Sequence, residues 1–272
     1  MPGLMTPDSF RYGDWSHDIT PVQIDEASVA VGRTGGALVA AGAIRRDKAP
    51  THPNSFRRSA GRAPKRWSAM NANAEINGVA TVYLMRHGRT AHNVSDRLRG
   101  RNDLDLDDTG RAQAEALGAL FAEVNLSRVL ASPLKRAVHT AEAVACAVGL
   151  RVEPVEGLND RDYGEWTGVE RSEVIDRYGS IEAAPDVETW KALSARVTQA
   201  FDELVAESMG GAIAIVGHDA SNRALLAALA PDLAFNPEDI PQSNGCWNCL
   251  QRDTGSWTVT VLDATPGDGR YP

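Results

Sequence analysis

From residue 79 onward, short runs of continuous apolar residues alternate with longer segments whose apolar positions recur every three or four residues. Val79–Met85, 127–132 and 212–218 are apolar runs of strand length, as expected of strands covered on both faces. "RVEPVEGL" (151–158) reads as a further strand, interrupted by Pro154. Thr109–Val124 carries Ala114, Leu117, Leu120, Phe121 and Val124 at helical spacing. Ser132 and Pro133 offer an N-cap and first-turn residue for a helix running to Val148, with Gly149 as its stop. Val187–Ser208 is a long amphipathic helix, and "ASNRALLAALA" (220–230) another. "CWNCLQ" and "SWTVTVLD" pair as a closing hairpin around Asp253-Thr254-Gly255. Strands alternating with helices predict an α/β fold, three layers α/β/α with a mainly parallel sheet. Ligands of such sheets bind beyond the carboxyl ends of the strands.

Residues 1–75 lack either periodicity. Between 45 and 66 lie eight basic residues and one acid, mixed with Pro, Ser and Gly. So little apolar material cannot offset the entropy of ordering the chain, which predicts a disordered or loosely attached extension. The organisation expected is therefore extension 1–75, catalytic domain 76–265 and tail 266–272.

Charge changes the picture by exclusion. The chain of 272 residues has a formal charge of −8, made of +3 over residues 1–80 and −11 over the rest. An acidic body is unsuited to nucleic acid, whose binding needs a basic surface. No stretch reads as a membrane span; Ala27–Ile44, the most apolar N-terminal stretch, is interrupted by Arg33 and too short. Cys146, Cys246 and Cys249 are too few for a disulfide framework and fit a reducing, cytoplasmic setting. Cys246 and Cys249 form a CxxC without a second ligand pair, inside a strand, and read as structural.

Against that acidic background, three strands end in ionisable residues on one sheet edge. They are Arg86-His87 in "TVYLMRHGRTAHN" (81–93), the turn Ser132–Arg136, and His218, with Asp160–Trp166 following the third strand. Guanidinium forks suit the oxygens of a phosphate dianion. A neutral imidazole between them can attack phosphorus, a second, charged as an imidazolium, can steady equatorial charge, and a carboxyl group can protonate the departing alkoxide. No metal or other cofactor is required, and His87 and His92 lack the spacing of a helical zinc pair.

At this point the chain resembles the histidine phosphatase superfamily, related to cofactor-dependent phosphoglycerate mutases and acid phosphatases, over about residues 80–263. "LMRHGRTAHN" is similar to the signature in which the histidine is phosphorylated, which implies His87 as nucleophile and Arg86 as a phosphate ligand. "GRNDLDLDDTGRAQAEAL" (100–117) resembles the stretch leading into the family's first helix. "SPLKRAVHTAEAV" (132–144) places the second phosphate-binding arginine on Arg136, and "IVGHDASNRALL" (215–226) places the second catalytic histidine on His218. Asn93 falls on a residue near the phosphate, and Thr90 lies beside it.

The departures are informative too. The proton-donor glutamate of the family falls on Asp160 in "LNDRDYGEWTG" (158–168), and a later glutamate on Thr167. Aspartate has a shorter reach and a reference pKa about 0.4 unit lower. Glu165 is the fallback donor. The span from Gly168 to Glu188 is short beside the mutases, and a small cover favours hydrolysis of the phosphoenzyme over transfer. Arg89, Arg97, Arg99 and Arg101 crowd the loop after His87, and Arg97 or Arg99 is expected to meet a second anionic group of the substrate. The expected partner is a small-molecule phosphomonoester, with a homodimer left open. A phosphoglycerate mutase and a weakly active phospho-ligand-binding module remain the alternatives.

Overall fold

The structure, a computed structural model, describes residues 81–272 apart from Met209, Phe235 and Thr254. The expected N-terminal extension lies outside the described residues. Six strands form one sheet in the order β3-β2-β4-β1-β5-β6. They are β1 (Thr81–Arg86), β2 (Leu126–Ala131), β3 (Val152–Pro154), β4 (Ala212–Gly217), β5 (Trp247–Asp253) and β6 (Ser256–Ala264). β1 to β4 run parallel, while β5 and β6 complete the sheet as an antiparallel hairpin. The sheet is thus mainly parallel.

Alternation along the central strands builds two cores, because successive side chains leave a strand on opposite faces. Val82, Leu84, Ile213 and Ile215 face α5 (Trp190–Glu207) and α6 (Asp219–Leu229). Tyr83, Met85, Ala214 and Val216 face α2 (Asp108–Phe121) and α3 (Lys135–Val148). Phe121 and Trp247 pack edge-on at 5.7 Å between centroids, and both are buried. A third, smaller cluster of Leu98, Tyr163, Val174, Ile181 and Ala184 sits beneath α4 (Arg171–Tyr178), outside the sheet layers. The periodicity does not reveal α4, since its eight residues bury only Val174. The remaining helix is the single turn α1 (Ala91–Val94).

Several element ends differ from expectation, each for a tertiary reason. α3 starts at Lys135, two residues later than Pro133, with Leu134 as N-cap. The Lys135 N–H donates to Asp103 Oδ1 at 2.8 Å, so a distant loop supplies the cap that Ser132 was expected to give. β3 spans three residues, and the chain then turns through a 3₁₀ turn at Glu156–Leu158. Pro154 lies on this sheet-edge strand, where its missing N–H is tolerated. α2 begins with Asp107 accepting from the Gly110 N–H at 2.8 Å, and it ends at Phe121. Among the described residues no helix is long and apolar enough to cross a membrane.

α2 and α3 approach closely at Gly118. A Cβ on that residue would lie 2.6 Å from the Ala143 carbonyl oxygen. Gly118→Ala is therefore expected to force the two helices apart and lower stability by about 1–3 kcal/mol, read as a lower denaturant midpoint with unchanged m-value.

Candidate active site

The register of β1 against β4 pairs Arg86 with Gly217, so the residues that follow, His87 and His218, emerge side by side. The His87 N–H donates to the Gly217 carbonyl at 3.1 Å and extends the ladder by one step. The imidazole centroids are 5.1 Å apart, and both rings are fully buried. Arg136 comes from the first turn of α3, after β2, and Asp160 from the loop after β3. Each group thus reaches the site from the carboxyl end of a parallel strand.

His87 is held in one tautomer. Its Nδ1 lies 2.6 Å from its neighbour's carbonyl, that of Gly88, so Nδ1 carries the proton and donates it. The Gly88 peptide is anchored in turn, its N–H donating to Thr140 Oγ1 at 3.0 Å. A side chain on Gly88 would collide with the Gly110 backbone, which explains the glycine there. Nε2 of His87 is buried and has no hydrogen-bond partner within the protein. It is free to act as a nucleophile.

The arginines around it are braced by backbone carbonyls. Arg136 is fully buried and donates to the carbonyls of Asn102 (2.7 Å) and Gly100 (2.8 Å) and to Asp160 Oδ2 (3.1 Å). Arg86 donates to the Gln242 carbonyl. The Nε groups of Arg86, Arg99 and Arg136, and both ring nitrogens of His218, lack protein partners. Buried donors left unpaired are costly, and one tetrahedral oxyanion touching them would supply the missing acceptors.

This setting decides the protonation states. Burial, followed by the neighbouring Arg136, pushes His87 well below its ordinary value. His218 is lowered in the same way, by burial first and then by Arg136, Arg99 and Arg86. Both rings are neutral near pH 7, so His218 is not the imidazolium expected from the sequence: burial among arginines disfavours its charge. Arg86 and Arg136 are themselves lowered by burial, opposed by Asp219 and Asp160 respectively.

Asp160 is buried within reach of the phosphate position. Oδ2 lies 3.1 Å from Arg136 and 3.9 Å from His218 Nδ1, and Oδ1 accepts from the Arg161 N–H at 2.9 Å. The backbone that carries it is held in place. Arg196 donates to the carbonyls of Gly157, Asn159 and Asp160, and Glu188 holds that guanidinium at 2.8 Å. Gly157 permits the approach, since a Cβ there would be 2.5 Å from that of Ala200. Glu165, the fallback donor, is exposed on the 3₁₀ turn Gly164–Trp166, away from this cluster.

The other expected ligands divide. Arg99 is buried at the site, and Asn93 lines a cavity of about 480 Å³ that extends outward from it. Thr90 is buried but donates its hydroxyl to Asn93 Oδ1 at 2.8 Å, so it positions Asn93. Arg97 is turned elsewhere: it donates to the Gly168 carbonyl and to Glu170, both at 2.9 Å, and braces the loop below α4. Sequence reasoning missed Asp219, which lies 3.9 Å from Arg86 and 3.5 Å from Arg99. Its only signal was adjacency to His218. It also missed the buried amides behind β1: Asn248 Nδ2 donates to the Leu84 carbonyl and Asn222 Nδ2 to that of Met85. Gln242 joins them, donating to Asn248 Oδ1. Nothing local marks these three as a set.

Comparison with known proteins agrees with this geometry. Residues 82–265 match the model of the histidine phosphatase superfamily (branch 1). A protein described as the uncharacterised phosphatase PhoE of Bacillus subtilis is 30% identical over 184 residues, covering 66% of this chain and 93% of its own. The 2,3-bisphosphoglycerate-dependent phosphoglycerate mutase of Cytophaga hutchinsonii is 29% identical over 58% of this chain and 80% of its own. Among solved structures, a mycobacterial glucosyl-3-phosphoglycerate phosphatase superposes with a TM-score of 0.63 at 26% identity, covering 68% of this chain and 99% of that one. With a family match that spans most of the sheet, and with paired imidazoles among buried guanidinium groups at its carboxyl edge, the chain belongs to the histidine phosphatase superfamily, branch 1.

Proposed function

We propose that this protein hydrolyses small-molecule phosphomonoesters without a metal, through a phosphohistidine on His87. One observation carries the reading: His87 has its Nδ1 proton committed to Gly88 and its buried Nε2 unpartnered, within the field of Arg136 and Arg86. In the first step Nε2 attacks phosphorus, the N–P bond forms and the P–O bond to the leaving group breaks. Asp160, in its acid form, transfers its proton to the departing oxygen. Arg86, Arg136 and His218 hold the equatorial oxygens, whose charge changes through the transition state. In the second step Asp160, now a carboxylate, takes a proton from water. The resulting attack breaks the N–P bond, releases inorganic phosphate and returns His87 to its starting form.

Hydrolysis is favoured over transfer by the cover above the site. Between Gly168 and Glu188 it consists of α4 and short turns over a small apolar cluster. Cys146, Cys246 and Cys249 are free, which supports a reducing, cytoplasmic setting. Release of phosphate, compared with transfer to a phosphoglycerate acceptor, separates phosphatase from mutase.

His87→Ala is expected to lower turnover by roughly 10⁴-fold or more while the fold persists, and to abolish the acid-labile phosphate label that the native protein acquires from substrate. Retained labelling would place the nucleophile elsewhere. Asp160→Asn is expected to slow alkyl phosphates by about 10²–10⁴-fold and p-nitrophenyl phosphate much less, because nitrophenolate leaves without protonation. Equal slowing of both would remove Asp160 from the donor role.

The neutral histidines also link stability to pH. Unfolded histidine binds a proton near pH 6.5, whereas His87 and His218 in the fold resist protonation to well below that value. Below pH 6.5 the unfolded chain therefore holds more protons, and stability falls as pH falls. Denaturant unfolding should show this acid-side loss, with a shallower slope in His218→Asn than in the native chain.

A further inference from the structure

Resting on the phosphatase reading of this site, we propose that Asp219 is a specificity-determining residue. It reserves the outer cavity for leaving groups that are uncharged and carry hydroxyls, and turns away those with a second anionic group.

The cavity that adjoins the histidine cluster through Arg86 is bordered also by Arg99, Arg161, Arg171 and Arg223, and so many guanidinium groups suggest a second anion site. Their partners say otherwise. Asp219 stands among three of them, with Oδ2 at 3.5 Å from Arg99 Nη2 and Oδ1 at 2.8 Å from Arg223 Nε and 3.9 Å from Arg86 Nη1. Arg171 faces Asp96 at 3.5 Å. Arg161 is paired with Glu182 and its guanidinium carbon lies 4.7 Å from the centre of the Trp190 ring. Glu238 adds another acid to the wall. Each outer cation thus faces a carboxylate, with Arg86, Arg99 and Arg223 sharing Asp219.

Asp219 retains capacity for a ligand of the opposite kind. Its Oδ1 is shielded from solvent 2.8 Å from Arg223 Nε, but the side chain as a whole is 19% exposed on the cavity wall, and a carboxylate has further acceptor lone pairs there. A hydroxyl on the leaving group can donate to them. A carboxylate or phosphate there would meet a like charge in a confined space and would have to displace Asp219 from three guanidinium groups at once. The space suits a sizeable group, with the Trp190 ring and Tyr163 on its wall. The second anionic contact expected of Arg99 is thus already made internally, by Asp219.

Two matched probes test this: D-glycerol 3-phosphate (sn-glycerol 1-phosphate) and D-3-phosphoglycerate, which share their configuration and differ by a hydroxymethyl group in place of a carboxylate. Dissociation constants are measured by titration calorimetry in the full chain carrying His87→Ala, so binding is read without turnover. With Asp219 present, glycerol 3-phosphate is expected to bind more tightly. Asp219→Asn is expected to shift the ratio of the two constants toward 3-phosphoglycerate by about tenfold or more, equivalent to about 1.4 kcal/mol. Asp219→Glu, which keeps the charge, should preserve the native preference. Because release of Arg86 would strengthen both ligands alike, the ratio isolates selectivity from general phosphate affinity. Asp219→Ser provides the same test if the Asn variant does not fold. A ratio unchanged within about threefold in the charge-removing variant, an initial preference for 3-phosphoglycerate, or binding of neither probe overturns the proposal. Failure of the phosphatase reading is seen separately, as absence of phosphate release from p-nitrophenyl phosphate by the native protein.

Discussion

The repulsion among Arg86, Arg99 and Arg136, three guanidinium groups buried together at the sheet's carboxyl edge, governs the rest of the site. Burying one cation is expensive, and burying three in contact range is tolerable only with compensation from dipoles and counter-charges. The fold provides backbone carbonyls from Gly100, Asn102 and Gln242, and carboxylates from Asp160 and Asp219. The compensation is incomplete, since three Nε groups point at no acceptor. Burial first, and that residual positive field second, keep both histidines neutral.

The same constraint explains where the loops are tied. Loop 88–108 crosses Arg136, whose guanidinium donates to its carbonyls, while Asp103 caps the helix that carries that arginine. Loop 157–160 is drawn inward by Arg196, which is held by Glu188 ahead of α5. In this way the backbone that carries Asp160 is held beside Arg136. The two carboxylates pair with different cations: Asp160 with Arg136, and Asp219 with Arg86, Arg99 and Arg223.

Much of this was legible in the residues alone. Apolar runs and helical spacings marked the four parallel strands and the four long helices, because each element buries a face whose period is written locally. His87, Arg86, Arg136, His218 and Asp160 were legible through resemblance and through their places at strand ends. The late start of α3 was not, because its cap is Asp103 from another loop. Nor were Arg97's partners, since a cation's direction depends on which carbonyl the folded chain brings near. The short helix α4 escaped notice because one buried residue, Val174, makes no periodic signal.

By itself the sequence determined the layered α/β architecture, the order of its elements and which ionisable residues stand at the strand ends, since these follow from burial period and from chain order. Only the tertiary structure decided which cations remain available to a ligand. Ion pairs such as Asp219 with Arg99, or Asp96 with Arg171, join positions far apart in the chain. Electrostatic balance is a property of distance in space, falling off over a few ångströms, and spacing along the chain does not encode it.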